Sequence, residues 1–573
     1  MYYRDMYIDV VPNRSSPPAI LLRESWRENG QMKKRTLANI SHWPPEKIES
    51  FRRLLRDEKL LPVTQAFRIE ESLPHGHVEA VLGTIRKIGL DYLIASRPSR
   101  HRDLVIAMIV EQIIHHDSKL ADTRNWHSDT VGDELGCSDA DENELYEALD
   151  WLVDRQAQIE KNLASQHLRE GCRAFYDVTS SYYEGSCCSL ARWGYSRDKK
   201  KGLPIIVYGT LTDEEGRPIG VQVYPGNTTD AQTVCDQVKK LREQFGLQKV
   251  VLVGDRGMLT ETCIEDLRQY PGLGWISALC SKAIRKLMDK DLVSPSLFDR
   301  ARLAEIHSPD YPGERLIACF NPLLAEEREK KREQLLKATE KLLAKISRQV
   351  QHRTKKPLSQ DEIGVKVGRV LGKHKVGKHF HIHIGESLFE WSRKQESISR
   401  EQQLDGIYIV RTSESEKSLS AYQAVRQYKA LSHVERVYRT VKGLEILVRP
   451  IRHRTESRVK AHIFLCMLAY YVEWHMRKSL APLLFDDELV ELSRRRKHPV
   501  AKAVPSDSAE EKKRTLITSD GLPVHSFRTL LNALGKRCKN RCRLNEAGPE
   551  ASFMRVTEMD DIQRKAFNLL GLM

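Results

Sequence analysis

The chain has no long hydrophobic run. Its longest apolar stretch, Ile463 to Val472, is far short of the ~20 residues that cross a bilayer, so no membrane-spanning helix is expected. It also lacks an apolar leader: Met1 to Arg14 alternates charged and apolar residues, and no secretory signal is expected. Cysteine follows no pattern. The 11 Cys are scattered and odd in number, with only Cys187 and Cys188 adjacent, which excludes a disulfide framework and fits a reducing cytoplasm. There is no complete phosphate-loop or dinucleotide fingerprint around Gly254 to Gly257, and no internal repeat at a fixed period. What the chain has in excess is positive charge: 93 Lys+Arg against 78 Asp+Glu, a formal +15 over 573 residues. With 40% hydrophobic and 30% charged residues, it is neither disordered nor a membrane protein in composition, and its length suits three or four domains. Such a balance points to a polyanionic partner.

Ala19 to Trp26 and Gln31 to Ile40 read as two strands around Asn29-Gly30, a strong hairpin signal. This gives a small N-terminal β unit, residues 1–45. Residues 46–165 are mostly helical in pattern, with Ile106, Val110, Ile113 and Ile114 at helical spacing, a region suited to DNA binding. From Cys172 the texture changes to strand, strand, strand, helix, strand, helix, strand: a mixed sheet with packed helices, an α/β domain. Leu323 to Val350 is a long charged helix with Leu336, Leu343 and Val350 every seven residues, a coiled-coil or helical-hairpin pattern. Lys378 to Ile384 and Gly406 to Arg411 read as strands, and Ser420 to about Lys442 and Val459 to Met476 as helices. Beyond Asp486 the chain is basic and irregular; Arg494 to Lys497 is a basic run suited to DNA backbone, and Ser506 to Lys513 reads as linker.

Two acids end buried-looking strands, Asp177 after Arg173 to Tyr176 and Asp255 after Lys249 to Gly254. Asp disfavours strands and is costly to bury, so a carboxylate at a strand end points to a cleft that binds a hard cation. Alone, either Asp is equally a turn or helix cap. A pair from adjacent strands could hold two metal ions about 4 Å apart, the arrangement of two-metal phosphoryl transfer. A third acid is expected from a packed helix. Between Ala421 and Lys460 stand ten Lys+Arg and only Glu435, Glu445 and Glu456 as acids. Offsets of seven fall about 20° short of two helical turns, so Tyr428, Glu435 and Lys442 share one face, amid Arg436 and Arg439. That surrounding suits a metal ligand beside bound phosphates; weak surface Glu–Lys pairing is the simpler reading of Glu435 alone. Glu445 and Glu456 compete with it, but neither lies seven residues from both a Tyr and a Lys.

The spacing Tyr428, Glu435, Lys442 resembles the Tyr-Arg-Glu-Lys signature of bacterial insertion-sequence DDE transposases, in the insertion-sequence-four superfamily. So do Tyr176 to Ser180, Gly226 to Asp230, Val253 to Met258, Leu404 to Thr412, Leu447 to Arg454 and Glu456 to His462. The likeness runs from about Cys172 to Lys478, and Glu24 to Gly30 fits it too. The departure is Leu431, where the signature has Arg; Arg426, Arg436 or Arg439 are the substitutes at hand.

The resemblance implies an RNase H-like catalytic domain, a mixed five-stranded sheet with flanking helices, divided into residues 166–280 and 421–480. An insertion domain, 281–420, separates the parts, and a basic C-terminal region, 481–573, is left for dimer or DNA contact. It implies Asp177, Asp255 and Glu435 as catalytic ligands of two Mg²⁺ ions, or Mn²⁺, and Tyr428, Lys442, Arg436 and Arg439 as DNA contacts. The expected reaction is cut-and-paste transposition: hydrolytic nicking at each element end, then attack of the freed 3′-hydroxyl. The expected partners are double-stranded DNA and a second copy of the chain, in a prokaryotic cytoplasm. Many relatives stack a flipped base on an aromatic residue, for which Trp391 is available. The alternatives are a catalytically inactive or repurposed basic DNA-binding protein and a nuclease that cuts without joining. His379, His381 and His383 alternate as an exposed strand face or, less simply, a metal site; Cys538 and Cys542 have no second pair for zinc.

Overall fold

The computed structural model describes residues 5–14, 16–58, 66–298, 302–353, 355–488, 498–501, 504–545 and 551–573. The basic run Arg494 to Lys497 lies outside them. They fall into two compact units, residues 1–73 with 538–557, and 74–537 with 558–573.

In the first unit, strands Asp5–Val11, Ala19–Glu28 and Gln31–Asn39 form an antiparallel sheet. Its hairpin turns at Asn29 and Gly30, both at positive φ (50° and 78°), the left-handed pair that the tight hairpin turn demands. A second three-stranded sheet joins Phe67–Pro74 to Cys538–Leu544, which pairs with Ser552–Val556. The strand at Phe67 interrupts a region expected to be helical. Its partner lies more than 460 residues away, beyond the reach of local pattern.

The second unit begins with a helical region. Helices α1 (Gly76–Lys87), α2 (Arg100–Ile114) and α3 (Gln156–His167) lead into strand β1 (Cys172–Tyr182). Strands β2 (Ile205–Thr212), β3 (Pro218–Pro225), β4 (Val250–Gly254) and β5 (Leu273–Ala278) follow. The sheet is mixed, but it has eight strands rather than the expected five. Strands β6 (Leu303–Ile306), β7 (Arg315–Phe320) and β8 (Ile407–Thr412) come from the segment read as an insertion. The order is β6-β7-β8-β5-β4-β1-β2-β3. β1 is parallel to β4 and β4 to β5, and every other pair is antiparallel. The three extra strands are apolar enough for a covered sheet (Leu316 to Cys319 are fully buried). Their pairing with β5 spans more than 130 residues, Val410 opposite Ala278.

Between β7 and β8 the chain leaves the sheet. Helix Pro322–His352, 31 residues and so about 46 Å long, packs against helix Gln360–His374 and the hairpin Phe380–Gly385/Leu388–Arg393. Leu336, Leu343 and Val350, the seven-residue series, are buried there with Ile346, Ile363 and Phe389 in a core of their own.

The region read as one helix before Lys442 is two, α4 (Ala421–Ala430) and α5 (Ser432–Lys442), separated at Leu431. Helix α6 (Glu456–Leu480) is apolar on all sides and runs through the middle of the unit, against α1, α2, α5 and β3. Its burial on every face explains why its apolar run shows no amphipathic period. The segment read as linker at Ser506 is a helix, Asp507–Thr515, whose N-cap is Ser506. Among the described residues no cysteine is in a disulfide, and no helix is long and apolar enough to cross a membrane.

Helix α3 is tied to the sheet by a buried charge pair. Glu160 accepts from Lys240 at 2.8 Å and from the Val221 N–H at 2.9 Å, with side chains 1% and 8% exposed. Breaking such a pair leaves an uncompensated buried charge. Lys240→Met is expected to lower unfolding stability by about 3–5 kcal/mol in urea titration; a loss under 1 kcal/mol would show the pair to be dispensable.

Candidate active site

The register of β1 with β4 builds the centre of the site. Tyr176 pairs with Gly254 in parallel, and each is followed by an acid. One further step therefore sets Asp177 beside Asp255, on strands about 4.8 Å apart, with side chains on the same face. Asp177 also pairs with Thr210 on its other side. The carboxylates differ in setting: Asp177 is half-buried and Asp255, just past the strand end, is exposed.

Asp177 does not end its strand, contrary to the expectation from the sequence; β1 runs on to Tyr182 in pairing with β2, past the end of the parallel β4, and helix α5 lies over β1 and β2 there. Tyr438 fixes it there: its hydroxyl accepts from the Thr210 N–H at 3.0 Å and donates to the Asp177 carbonyl. One turn earlier on the same helix stands Glu435, exposed and close enough for its charge to act on Asp177. Burial raises the Asp177 carboxyl from its ordinary value to about 7, and the charges of Asp255 and Glu435 add to the rise. The Val178 N–H, 2.8 Å from its Oδ1, and Arg197 oppose it.

Tyr428, on α4, donates to Asp255 Oδ1 at 3.2 Å. Its hydroxyl is held in the protonated state by burial and then by the Asp255 charge. Lys442, at the end of α5, is turned inward. Its ammonium donates to the Ser180 carbonyl and, at 3.0 Å, to Asp198 Oδ1, which also takes Arg449. Arg436 and Arg439 are exposed on α5, and Arg426 is half-buried on α4. Tyr428 and Lys442 thus bond Asp255 and Ser180, on either side of Asp177, and Glu435 between them acts on Asp177 by its charge. The break at Leu431 does not disperse them. The competing acids face elsewhere, Glu445 to Arg477 at 3.2 Å and Glu456 to Lys460 at 2.7 Å.

The loop from Tyr183 to Pro204 contains residues that the sequence did not single out. It crosses the motif Gly226 to Asp230 so closely that a Cβ on Gly194 would stand 2.0 Å from the Gly226 carbonyl oxygen. Arg197 donates to Asp230, and the Arg197 N–H to Ser180 Oγ at 3.2 Å. Asp198, 3% exposed, is the anion that gathers Lys442 and Arg449. Held this way, the loop still exposes Trp193 (69%) and Tyr195 (81%), followed by exposed Lys199, Lys200 and Lys201. The signal available in the sequence was this Trp, Tyr, Lys-Lys-Lys series between two apolar strands.

Trp391 is half-buried against Phe380, in the separate core of the long helix. His381 and His383 are exposed on their strand, while His379 is buried with Glu401 3.0 Å away. A cavity of about 470 Å³ lies at the opposite strand ends, lined by Gly171, Lys249 and Gly272. It holds none of the three carboxylates, which instead occupy an open face, the form that suits an extended substrate.

The Tyr438 hydroxyl serves two main-chain groups at the carboxylate itself. Tyr438→Phe is expected to destabilise the protein by about 1–3 kcal/mol, the cost of leaving a buried donor and acceptor unmet. Urea unfolding measures this, and an unchanged midpoint would remove Tyr438 as the clamp.

A family model described as the transposase DDE domain matches residues 169–472. A second, the N-terminal domain of IS1634 family transposases, matches residues 8–61. No curated protein matches the chain. Among solved structures, a cryo-EM structure of a piggyBac transposase synaptic complex with hairpin DNA is similar at 12% identity and TM-score 0.33, covering 80% of this chain and 76% of that one. That likeness is loose, whereas the domain match takes in β1 to β8, α4, α5 and most of α6. The chain belongs to the DDE transposases, enzymes that cut DNA and transfer its strands.

Proposed function

We propose that Asp177, Asp255 and Glu435 are the three catalytic carboxylates of a cut-and-paste transposase that works by two-metal phosphoryl transfer. The observation that carries this is the parallel β1–β4 register, which sets two acids side by side under a third. The strand order β3-β2-β1-β4-β5, with β1 to β3 antiparallel and β4 and β5 parallel to β1, supports an RNase H-like core. The Tyr428, Glu435, Lys442 spacing supports the insertion-sequence-four superfamily.

The donor set is three carboxylates, one held near pH 7 by burial and its acidic neighbours; hard oxygen donors short of positive charge suit Mg²⁺ or Mn²⁺. Bound there, two such ions would neutralise the carboxylates, activate the attacking oxygen and stabilise the leaving one. The protein's own groups do the rest. Tyr428 orients Asp255 through its hydrogen bond. Arg436 and Arg439 flank Glu435 and meet phosphate oxygens. Lys442 and Arg449 act through Asp198, which fixes the loop that offers Lys199 to Lys201, Trp193 and Tyr195 to DNA. In the first step a water oxygen bonds to phosphorus and the 3′-oxygen leaves, taking a proton. In the second, that 3′-hydroxyl oxygen attacks a new phosphodiester and displaces its 3′-oxygen. Two ends must be cut together, so two copies of the chain on DNA are the working form.

Asp177→Asn and Glu435→Gln are each expected to abolish Mg²⁺-dependent cleavage of an element end while leaving DNA binding in gel shift. Exchange of Lys199, Lys200 and Lys201 for Ala is expected to weaken binding most at low salt and to flatten its salt dependence. Cleavage that survives either carboxylate change would end this assignment, and binding without cleavage by the wild type would favour a repurposed binder.

The raised Asp177 carboxyl sets a pH dependence. Without metal the folded chain keeps a proton that the unfolded chain gives up, so this group's stabilisation is present near pH 4 and is lost as pH rises through about 7. Cation binding must displace that proton. Apparent Mg²⁺ affinity is expected to fall roughly tenfold per pH unit below 7 and to level off above it. Calorimetric titration at pH 6 and pH 8 tests this; equal affinities would show that Asp177 is not a ligand.

A further inference from the structure

The helical region holds a second group of ligand-type side chains that shares no residue with the carboxylate site. His77 lies in the first turn of α1, His115 just past the end of α2, and Asp129 in the loop before helix Val131–Leu135. One ligand atom from each lies within 4.8 Å of the other two, and among the described residues this is the one such group of three His, Cys, Asp or Glu.

One edge of the group already has the separation found in a coordination shell. Asp129, 3% exposed at the side chain, is fixed by the Val131 N–H, 2.8 Å from Oδ1. Its Oδ2 stands 3.2 Å from His115 Nε2. Two ligands each about 2.0–2.1 Å from a tetrahedral ion stand about 3.3 Å apart, so this separation is that of one edge of a zinc tetrahedron. The His77 ring is perpendicular to that of His115 at 88°, with centroids 6.3 Å apart. Its Nδ1 accepts from the Val78 N–H at 3.0 Å, which holds the ring in place.

A separate observation points to a cation. Glu111, one turn before His115 on α2 and so on the same face, is 1% exposed, and its Oε1 has no hydrogen-bond partner. Its other oxygen has only Asn125, at 3.5 Å. Asp129 and Asp122 act on it with like charge. A buried carboxylate oxygen left unmet among acids is costly. Two neutral imidazoles with two carboxylates balance one divalent ion, and imidazole nitrogen selects zinc over magnesium.

We propose that His77, His115 and Asp129 bind one Zn²⁺ ion, with the buried Glu111 carboxylate beside it as a further balancing charge, as a structural site of the helical region. It ties the start of α1 to the end of α2 and to the loop that follows, and it is independent of the carboxylate chemistry.

The test uses the full chain, stripped with chelator and kept in excess Mg²⁺. Wild type is expected to take one Zn²⁺ per chain in competition with a chromophoric chelator, and to give intense visible bands with Co²⁺. His115→Ala and Asp129→Asn are each expected to lower that affinity at least about 100-fold. Asp129→Asn keeps an acceptor for Val131, and His115 is half-exposed, so circular dichroism should report folded protein. Asp177→Asn is expected to bind Zn²⁺ as wild type does. No zinc uptake by wild type, unchanged affinity in both cluster variants, or loss in Asp177→Asn would each overturn the site.

Discussion

The site depends on one pairing, the parallel alignment of β1 with β4. Because Tyr176 faces Gly254, the residues that follow, both aspartates, must fall side by side. Shifting that register by one residue would turn one carboxylate to the other face of the sheet. Other features hold this arrangement against the repulsion it creates. Tyr438 bonds the main chain of Asp177 and Thr210, and Tyr428 bonds Asp255. The folded chain thus carries three acids whose burial and mutual repulsion raise the Asp177 carboxyl and favour its protonated form.

The positive charge of the chain has two separate uses around this centre. Lys442 and Arg449 are drawn inward by Asp198, and Lys240 by Glu160. These charges are engaged by carboxylates of the protein itself. Arg436, Arg439 and Lys199 to Lys201 remain exposed. Net charge counts both kinds alike, and burial separates them. The close crossing of Gly194 over Gly226 makes the second kind effective, since a pinned loop presents its lysines and aromatic rings without a large ordering cost.

The long segment between the two halves of the DDE domain is also of two kinds. β6, β7 and β8 extend the catalytic sheet, while the long helix, its partner helix and a hairpin build a separate core. Arg332, on that helix, bonds Asp405 just before β8 at 2.6 Å with both side chains nearly buried, which couples this excursion to its point of return. Helix α6, buried all round, joins the helical region and the sheet into one hydrophobic core.

Local pattern in the sequence was enough for the Asn29-Gly30 hairpin, the five strands β1 to β5, the long helix with its seven-residue series and the apolar α6. Each is written in residues close together, in period and turn chemistry; of the two acids expected to end strands, Asp255 does, while Asp177 lies inside β1. The same local pattern singled out the three acids and the Tyr–Glu–Lys spacing, and the fold brings those residues close together. Strand β8 was legible at Gly406 to Arg411, but its place in the sheet was not, and neither were β6, β7, the strand at Phe67 or the helix after Ser506; the strands' partners lie far away along the chain. Nor did spacing distinguish an inward Lys442 from an outward Arg439, or mark His77, His115 and Asp129 as neighbours across 52 residues. The sequence by itself determined which elements form and which residue types carry the chemistry. Only the tertiary structure decided which charges meet and which face solvent, because burial and long-range pairing are properties of the folded chain.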